Sequence, residues 1–127
     1  MSVFDGLKYF SRSEFDSPDA PGSGEQMSRH FLLKLESLRQ RVSKPVHITS
    51  GFRTLAHNIN IKGAGNSAHL RGLAADISTV GSQERFAVLD AAIRVGFRRI
   101  EVAPLHIHVD VDPDLPQDVC IFLASYK

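Results

Sequence analysis

Two histidines and an aspartate occupy alternate positions near the end of the sequence, in His106-Ile107-His108-Val109-Asp110. Side chains of a β-strand alternate between its two faces, so His106, His108 and Asp110 share one face and the apolar residues share the other. Neighbouring Cα atoms on the polar face are then about 6.6 Å apart. This pattern predicts either a ligand site or the solvated face of an edge strand, and the segment alone does not decide between them.

A second polar group lies within an apolar run. Asp76 stands between Ala75 and Ile77 in a predicted strand over residues 73–77, where a carboxylate without a partner is costly to bury. His69 precedes this strand, in the loop that leads into it. Zinc binds imidazole nitrogen and carboxylate oxygen, and catalytic zinc sites keep a fourth position for water. A loop histidine, a strand aspartate and a histidine of the later strand are therefore a candidate zinc site. The alternatives are a carboxylate that pairs with an arginine and a loop histidine without a special role.

Two amphipathic helices are predicted to support these residues. Apolar residues of the segment 27–42 recur at spacings of three and four, which predicts a helix of about four turns that ends before Pro45. A second helix is predicted to begin after an N-cap at Ser82 and to end at Gly96.

Short strands complete the predicted fold. They are expected at residues 46–49, 73–77, 98–102, 106–111 and 119–124. Ala103-Pro104-Leu105 is short enough to join the third and fourth strands as a hairpin, and Thr54 is expected to cap a short helix that runs to Asn60. Helices and strands do not alternate regularly, so the predicted class is α+β, with a small, largely antiparallel sheet and two main helices packed on it.

Composition limits the classes of protein that the chain can represent. Its 127 residues predict a single domain (1–127) in which residues 1–25 form an N-terminal arm or ordered loop. Fifteen Lys and Arg against 14 Asp and Glu give a net charge of +1, so we expect no nucleic acid or membrane partner. We also expect a monomer. The single cysteine, Cys120, excludes an intrachain disulfide and a cysteine-based zinc finger. Residues 1–10 lack the pattern of a signal peptide, and no segment has the roughly 20 apolar residues of a membrane span.

Three motifs occur in a consistent order. Residues 67–76 match S-x-H-x-x-G-x-A-x-D at every fixed position, residues 50–54 match S-G-[YF]-R-[ST], and residues 106–110 match a closing H-x-H or H-V-D segment. Together they resemble the zinc D-Ala-D-Ala carboxypeptidases and related peptidoglycan peptidases, a group that shares its fold with the hedgehog signalling domain. The similarity extends from about residue 32 to residue 111. The short chain and the segment 15–18 resemble phage-borne members.

The resemblance implies a set of ligands and a set of substrate contacts. It implies that His69, Asp76 and His108 bind Zn²⁺. It also implies that Arg53 holds a substrate carboxylate or the developing oxyanion, a role that suits a guanidinium because it stays charged and can bond two oxygens at once. Ser67 matches a serine that contacts the substrate or orients a ligand, and its alternative role is to cap the loop.

The general base departs from the usual pattern. The resemblance implies that His106 lies beside the metal and stabilises the transition state. Many members carry an acidic general base three positions before the last zinc histidine, but that position is Leu105 here. Glu101 on the preceding strand is the first candidate for the base and His106 is the second. Glu101 is equally consistent with a solvated residue paired with a neighbouring arginine.

The resemblance therefore implies a zinc-dependent peptidase that cleaves stem peptides or cross-links of peptidoglycan, as a D-Ala-D-Ala carboxypeptidase or as an endopeptidase of the endolysin type. The alternative is a non-catalytic zinc-binding structural or binding domain on the same fold, which the leucine at position 105 favours. A phage-encoded chain would stay in the cytoplasm until lysis or be part of a virion. The remaining histidines, His30, His47 and His57, are predicted to have no metal role.

Overall fold

The computed structural model describes residues 1–124, which form three α-helices and five β-strands. The helices are α1 (Arg29–Val42), α2 (Leu55–Asn60) and α3 (Ser82–Arg94). The strands are β1 (Ile48–Ser50), β2 (Ala74–Ser78), β3 (Arg99–Val102), β4 (His106–Asp110) and β5 (Val119–Phe122). Short 3-10 helices span Arg12–Phe15, Ser23–Gln26 and Ala68–Arg71. None of the helices in the described residues is long and apolar enough to cross a membrane.

The strands form one sheet in the order β1-β2-β4-β3-β5. All neighbouring pairs are antiparallel except β3 and β5, which are parallel. The α+β class and the β3–β4 hairpin are therefore confirmed. The strand that carries His106 and His108 lies at the centre of the sheet, so the interpretation of this segment as a solvated edge strand is wrong.

The two long helices follow the predicted pattern with one correction. Helix α1 begins after Ser28, whose hydroxyl accepts a hydrogen bond from the backbone N–H of Phe31, and the apolar residues at the predicted spacing are buried. Helix α3 instead has its N-cap at Gly81, one residue before the predicted Ser82, and no side chain caps it. It packs on the core through Val88, Ala91 and Ala92, whereas Phe86 and Ile93 are exposed.

The two faces of β4 have different neighbours, as strand alternation predicts. Ile107 and Val109 are fully buried in the core with residues of α1 and α3. His106, His108 and Asp110 face the opposite side of the sheet, where they line a cavity. The sheet therefore separates the apolar core from the polar site.

The N-terminal segment belongs to the core. Phe15 is fully buried, and Phe10 and Phe4 pack against its ring at centroid distances of 5.6 and 5.5 Å. The backbone N–H of Phe52 donates to the carbonyl of Phe15, so this segment is also bonded to the chain that follows β1. A Cβ at Gly51 would lie 2.6 Å from the Cα of Phe15, and only glycine allows this approach.

We expect Phe15→Ala to destabilise the protein by about 3–5 kcal/mol, because it removes a fully buried ring from the core. Phe86→Ala is the matched control, since Phe86 is 72% exposed and its loss should change stability by about 0.5 kcal/mol or less. Urea unfolding followed by circular dichroism measures both. Equal destabilisation by the two variants would show that the N-terminal segment does not pack as described.

Candidate metal centre

A cavity of about 330 Å³ opens on the polar face of the sheet. Every residue predicted for the site lines it: Arg53, Ser67, His69, Asp76, Glu101, His106 and His108. Arg99 and Asp110 also contribute to its wall, together with apolar groups that include Leu115 and Ile121. Residues that are far apart in the sequence are thus brought to one place by the pairing of β2 with β4 and of β4 with β3.

The carboxylate of Asp76 lies between two imidazoles. Its Oδ1 atom is 3.2 Å from Nε2 of His69 and 3.0 Å from Nδ1 of His108. Ligand atoms on a tetrahedral zinc ion, at bond lengths of about 2.0–2.1 Å, are separated by about 3.3 Å. The spacing and the two-nitrogen, one-oxygen donor set both fit zinc, and these are the one such group of candidate ligands in the described part of the chain.

The ring of His69 is oriented by a backbone carbonyl. Its Nδ1–H donates to the carbonyl of Gly51 over 2.7 Å, which leaves the lone pair of Nε2 directed at Asp76. His69 lies in a 3-10 helix, not in the predicted loop, and the hydroxyl of Ser67 caps this helix by accepting from the backbone N–H of His69. Burial lowers the pKa of His69, so its neutral, metal-binding form is favoured.

The ring of His108 is oriented by a carboxylate. Its Nε2–H donates to Oδ2 of Asp110 over 2.6 Å, so Nδ1 is the nitrogen that faces Asp76. Burial opposes the charged ring, but the hydrogen bonds to Asp110 and Asp76 outweigh it and raise the pKa of His108 to about 9. Burial likewise opposes ionisation of Asp76, and the two histidines nevertheless hold its pKa well below the usual range.

Asp110 is fully buried, and its other contacts fix its position. Its Oδ1 accepts a hydrogen bond from the backbone N–H of Asp112, and Nε of Arg99 lies 3.2 Å from Oδ2, in an ion pair without hydrogen-bond alignment. The sequence placed Asp110 on the ligand face but did not reveal this role. The side chain of Arg99 is mostly buried between Asp110 and Glu101, although its position beside Arg98 on a predicted strand is typical of a solvated basic pair.

The second oxygen of Asp76 faces a different pair of residues. Nη2 of Arg53 lies 3.5 Å from Oδ2, and Nε2 of His106 lies 3.9 Å from it. Arg53 is also bonded through Nε to the hydroxyl of Ser50 and through Nη1 to the amide oxygen of Asn58. The carboxylate thus has one oxygen toward the two candidate ligands and one toward the two candidate substrate-contacting residues.

Glu101 faces the cavity from β3. It is the register partner of His108 on β4, and its carboxylate accepts a hydrogen bond from Nη2 of Arg99 over 2.9 Å. Leu105 lies in the hairpin turn and is largely exposed, so its position does not supply a group to the site. Glu101 is therefore the carboxylate of β3 that faces the cavity, and its role as general base stays a prediction.

Comparison with known proteins points in the same direction. The family model for peptidase M15 matches residues 9–110. The chain is also 41% identical over 68 residues to a zinc D-Ala-D-Ala carboxypeptidase of Streptomyces albus G. That alignment covers 53% of this chain and 26% of the relative, so the chain spans about a quarter of the length of the curated relative that it matches.

The raised pKa of His108 predicts how the stability of the metal-free protein depends on pH. The folded pKa of about 9 lies above the unfolded value of about 6.5, so the charged ring stabilises the fold below pH 6.5. That contribution is lost as the pH rises to about 9. We expect the free energy of unfolding of chelator-treated protein to fall across this range, as measured by urea unfolding. The fall should be smaller in His108→Asn, and an equal fall in that variant would contradict the assignment.

We expect Asp110→Asn to weaken zinc binding by about 10- to 100-fold. Its amide has only one acceptor atom, whereas Asp110 accepts from both His108 and the backbone of Asp112. An NH₂ group must then face one of these donors, which disturbs the ring of His108. Competition with a chromogenic chelator measures the affinity. Asp114→Asn is the matched control, because Asp114 is exposed and its side chain makes no contact with the site, and a similar loss there would refute the prediction.

Proposed function

The chain belongs to the peptidase M15 family, and from that premise we propose that it is a zinc-dependent peptidase that cleaves peptide bonds of peptidoglycan. The family and the zinc carboxypeptidase relative imply Zn²⁺ as the cofactor. The observation that carries the proposal is the placement of Asp76, whose two oxygens face a candidate metal site on one side and Arg53 and His106 on the other.

His69, Asp76 and His108 would hold the metal. Bound there, zinc supplies a Lewis acid for the scissile carbonyl and a water that is nucleophilic near neutral pH. His69 and His108 contribute nitrogens whose ring orientation is already set by Gly51 and Asp110. Such outer partners fix the tautomer of a ligand and raise its affinity for metal.

Arg53 and His106 would act on the substrate. The guanidinium of Arg53 remains charged and can bond two oxygens of a carboxylate or of a developing oxyanion. His106 lies on the same side of Asp76 and can stabilise negative charge that develops on the carbonyl oxygen. Ser67 lines the cavity beside them and offers a hydroxyl to the substrate, in addition to its role as a helix cap.

Glu101 would serve as the general base. Its carboxylate faces the cavity next to the candidate ligands, and its negative charge contributes to the raised pKa of His108. Arg99 holds one of its oxygens, which fixes the orientation of the other. In this role Glu101 takes a proton from the attacking water and transfers it to the leaving amine. His106 is the second candidate for the base.

A non-catalytic zinc-binding domain is the alternative, supported by the leucine at the position where many relatives carry their acidic base. The two functions make different predictions for Glu101. In a peptidase, Glu101→Gln leaves zinc binding intact and removes cleavage. In a structural domain, neither the wild type nor this variant cleaves any peptide while zinc is bound stoichiometrically.

The proposal also covers the type of peptidase activity. We propose that the chain acts as a single domain on peptidoglycan stem peptides, as a D-Ala-D-Ala carboxypeptidase or as an endopeptidase, and that it does so as a monomer. Resemblance to phage-borne members supports delivery at lysis, as an endolysin, or within a virion. Neighbouring lysis genes would favour the first route, and neighbouring tail or capsid genes the second.

We expect zinc-loaded protein to release peptide fragments or D-alanine from purified peptidoglycan, detected by mass spectrometry. His69→Ala and Asp76→Ala should abolish both zinc binding and cleavage, because each removes a ligand. Glu101→Gln should lower cleavage by about 100-fold or more at full zinc occupancy. His30→Ala is the control, since His30 is exposed on α1 and away from the cavity. An unchanged digest with bound zinc would refute peptidase activity, and full activity after removal of the metal would refute its zinc dependence.

A further inference from the structure

Helix α2 buries a polar residue and exposes its aliphatic ones. Leu55 and Ile59 are 63% and 66% exposed, whereas Asn58 is 1% exposed. This reverses the usual arrangement of a surface helix, in which the apolar side chains face inward. A buried amide is costly unless its donors and acceptor are bonded. The contacts of Asn58 must therefore account for its position.

Asn58 joins two parts of the cavity wall. Its amide oxygen accepts a hydrogen bond from Nη1 of Arg53 over 3.3 Å, and its amide nitrogen donates to the carbonyl of Ala64 over 2.9 Å. Its backbone carbonyl accepts from the N–H of Gly63 over 2.8 Å. Arg53 and Ala64 both line the cavity. One buried side chain thus links the arginine of the site to the loop of residues 62–67.

The contact between Asn58 and Arg53 leaves no room for a side chain at Gly63. A Cβ at Gly63 would lie 2.1 Å from Oδ1 of Asn58 and 3.2 Å from Nη1 of Arg53. The backbone of the loop therefore passes directly against the bond between these two side chains. A Cβ at Gly65, two residues later, would meet nothing within 4 Å. The requirement for glycine is local to the contact with Asn58.

The position of Arg53 matters because Asp76 attracts it. Nη2 of Arg53 lies only 3.5 Å from Oδ2 of the buried Asp76. The guanidinium could therefore move closer and pair fully with this carboxylate. The bond to Asn58 holds Nη1 at a fixed place away from that carboxylate. We propose that Asn58 is a positioning residue, which holds Arg53 in the orientation from which it contacts the substrate. The substrate contact rests on the proposed function.

The orientation of Arg53 can be tested without any cleavage assay. Solvent exchange of the Arg53 Nη1 hydrogens, followed by ¹⁵N NMR on the zinc-loaded protein, reports how firmly Asn58 holds the guanidinium. Loss of one hydrogen bond to a charged group should accelerate this exchange about tenfold in Asn58→Ala. Asn60→Ala is the matched control, because Asn60 is exposed on the same helix.

Gly63→Ala provides a second variant that keeps Asn58. Its methyl group must displace the amide of Asn58, so the exchange of the Arg53 Nη1 hydrogens should accelerate as in Asn58→Ala. Gly65→Ala is its control and should leave the exchange unchanged. If Asn58→Ala fails to fold, the pair of glycine variants still decides the question.

Cleavage provides the functional readout. Asn58→Ala should lower kcat/KM about tenfold for whichever substrate the wild type cleaves, a D-Ala-D-Ala-terminated peptide or a cross-linked stem peptide. It should have no further effect in an Arg53→Lys background. Unchanged exchange of the Arg53 Nη1 hydrogens in Asn58→Ala and Gly63→Ala overturns the proposal, as does a loss of kcat/KM that persists in the Arg53→Lys background. Absence of cleavage by the wild type would overturn the proposed function instead, and the exchange rates would still test the position of Arg53.

Discussion

The buried carboxylate of Asp76 is the constraint on which the site depends. A carboxylate that is 6% exposed is costly unless charged or hydrogen-bonding groups surround it. His69 and His108 meet one of its oxygens, and Arg53 and His106 face the other. These four side chains come from a loop, a 3-10 helix and the central strand. Burial of the Asp76 carboxylate therefore requires these three segments to converge around it.

Three of the side chains around Asp76 are themselves positioned by further hydrogen bonds. The carbonyl of Gly51 orients His69, Asp110 orients His108, and Asn58 bonds the guanidinium that approaches from the third side. The position of the Gly51 carbonyl depends in turn on Phe15, because the backbone of Gly51 packs directly against that residue. Packing in the apolar core therefore affects the position of a candidate ligand on the other side of the sheet.

Features with a local cause could be predicted from the sequence, and features that depend on distant segments could not. The shared face of His106 and His108 follows from strand alternation, and the burial of Asp76 follows from its apolar neighbours. The burial of Arg99 depends on where the chain after β4 returns, which no local pattern shows. The role of Asn58 is not visible in the sequence, because the loop that bonds it has no regular structure. The spacing of apolar residues likewise does not predict that β5 pairs in parallel with β3.

The central place of β4 in the sheet has a consequence for how metal is acquired. Because both edges of this strand are paired, His108 and its neighbours take their final positions when the sheet forms. The entropy lost in ordering the side chains of β4 is therefore a cost of forming the sheet and not a further cost of binding a metal.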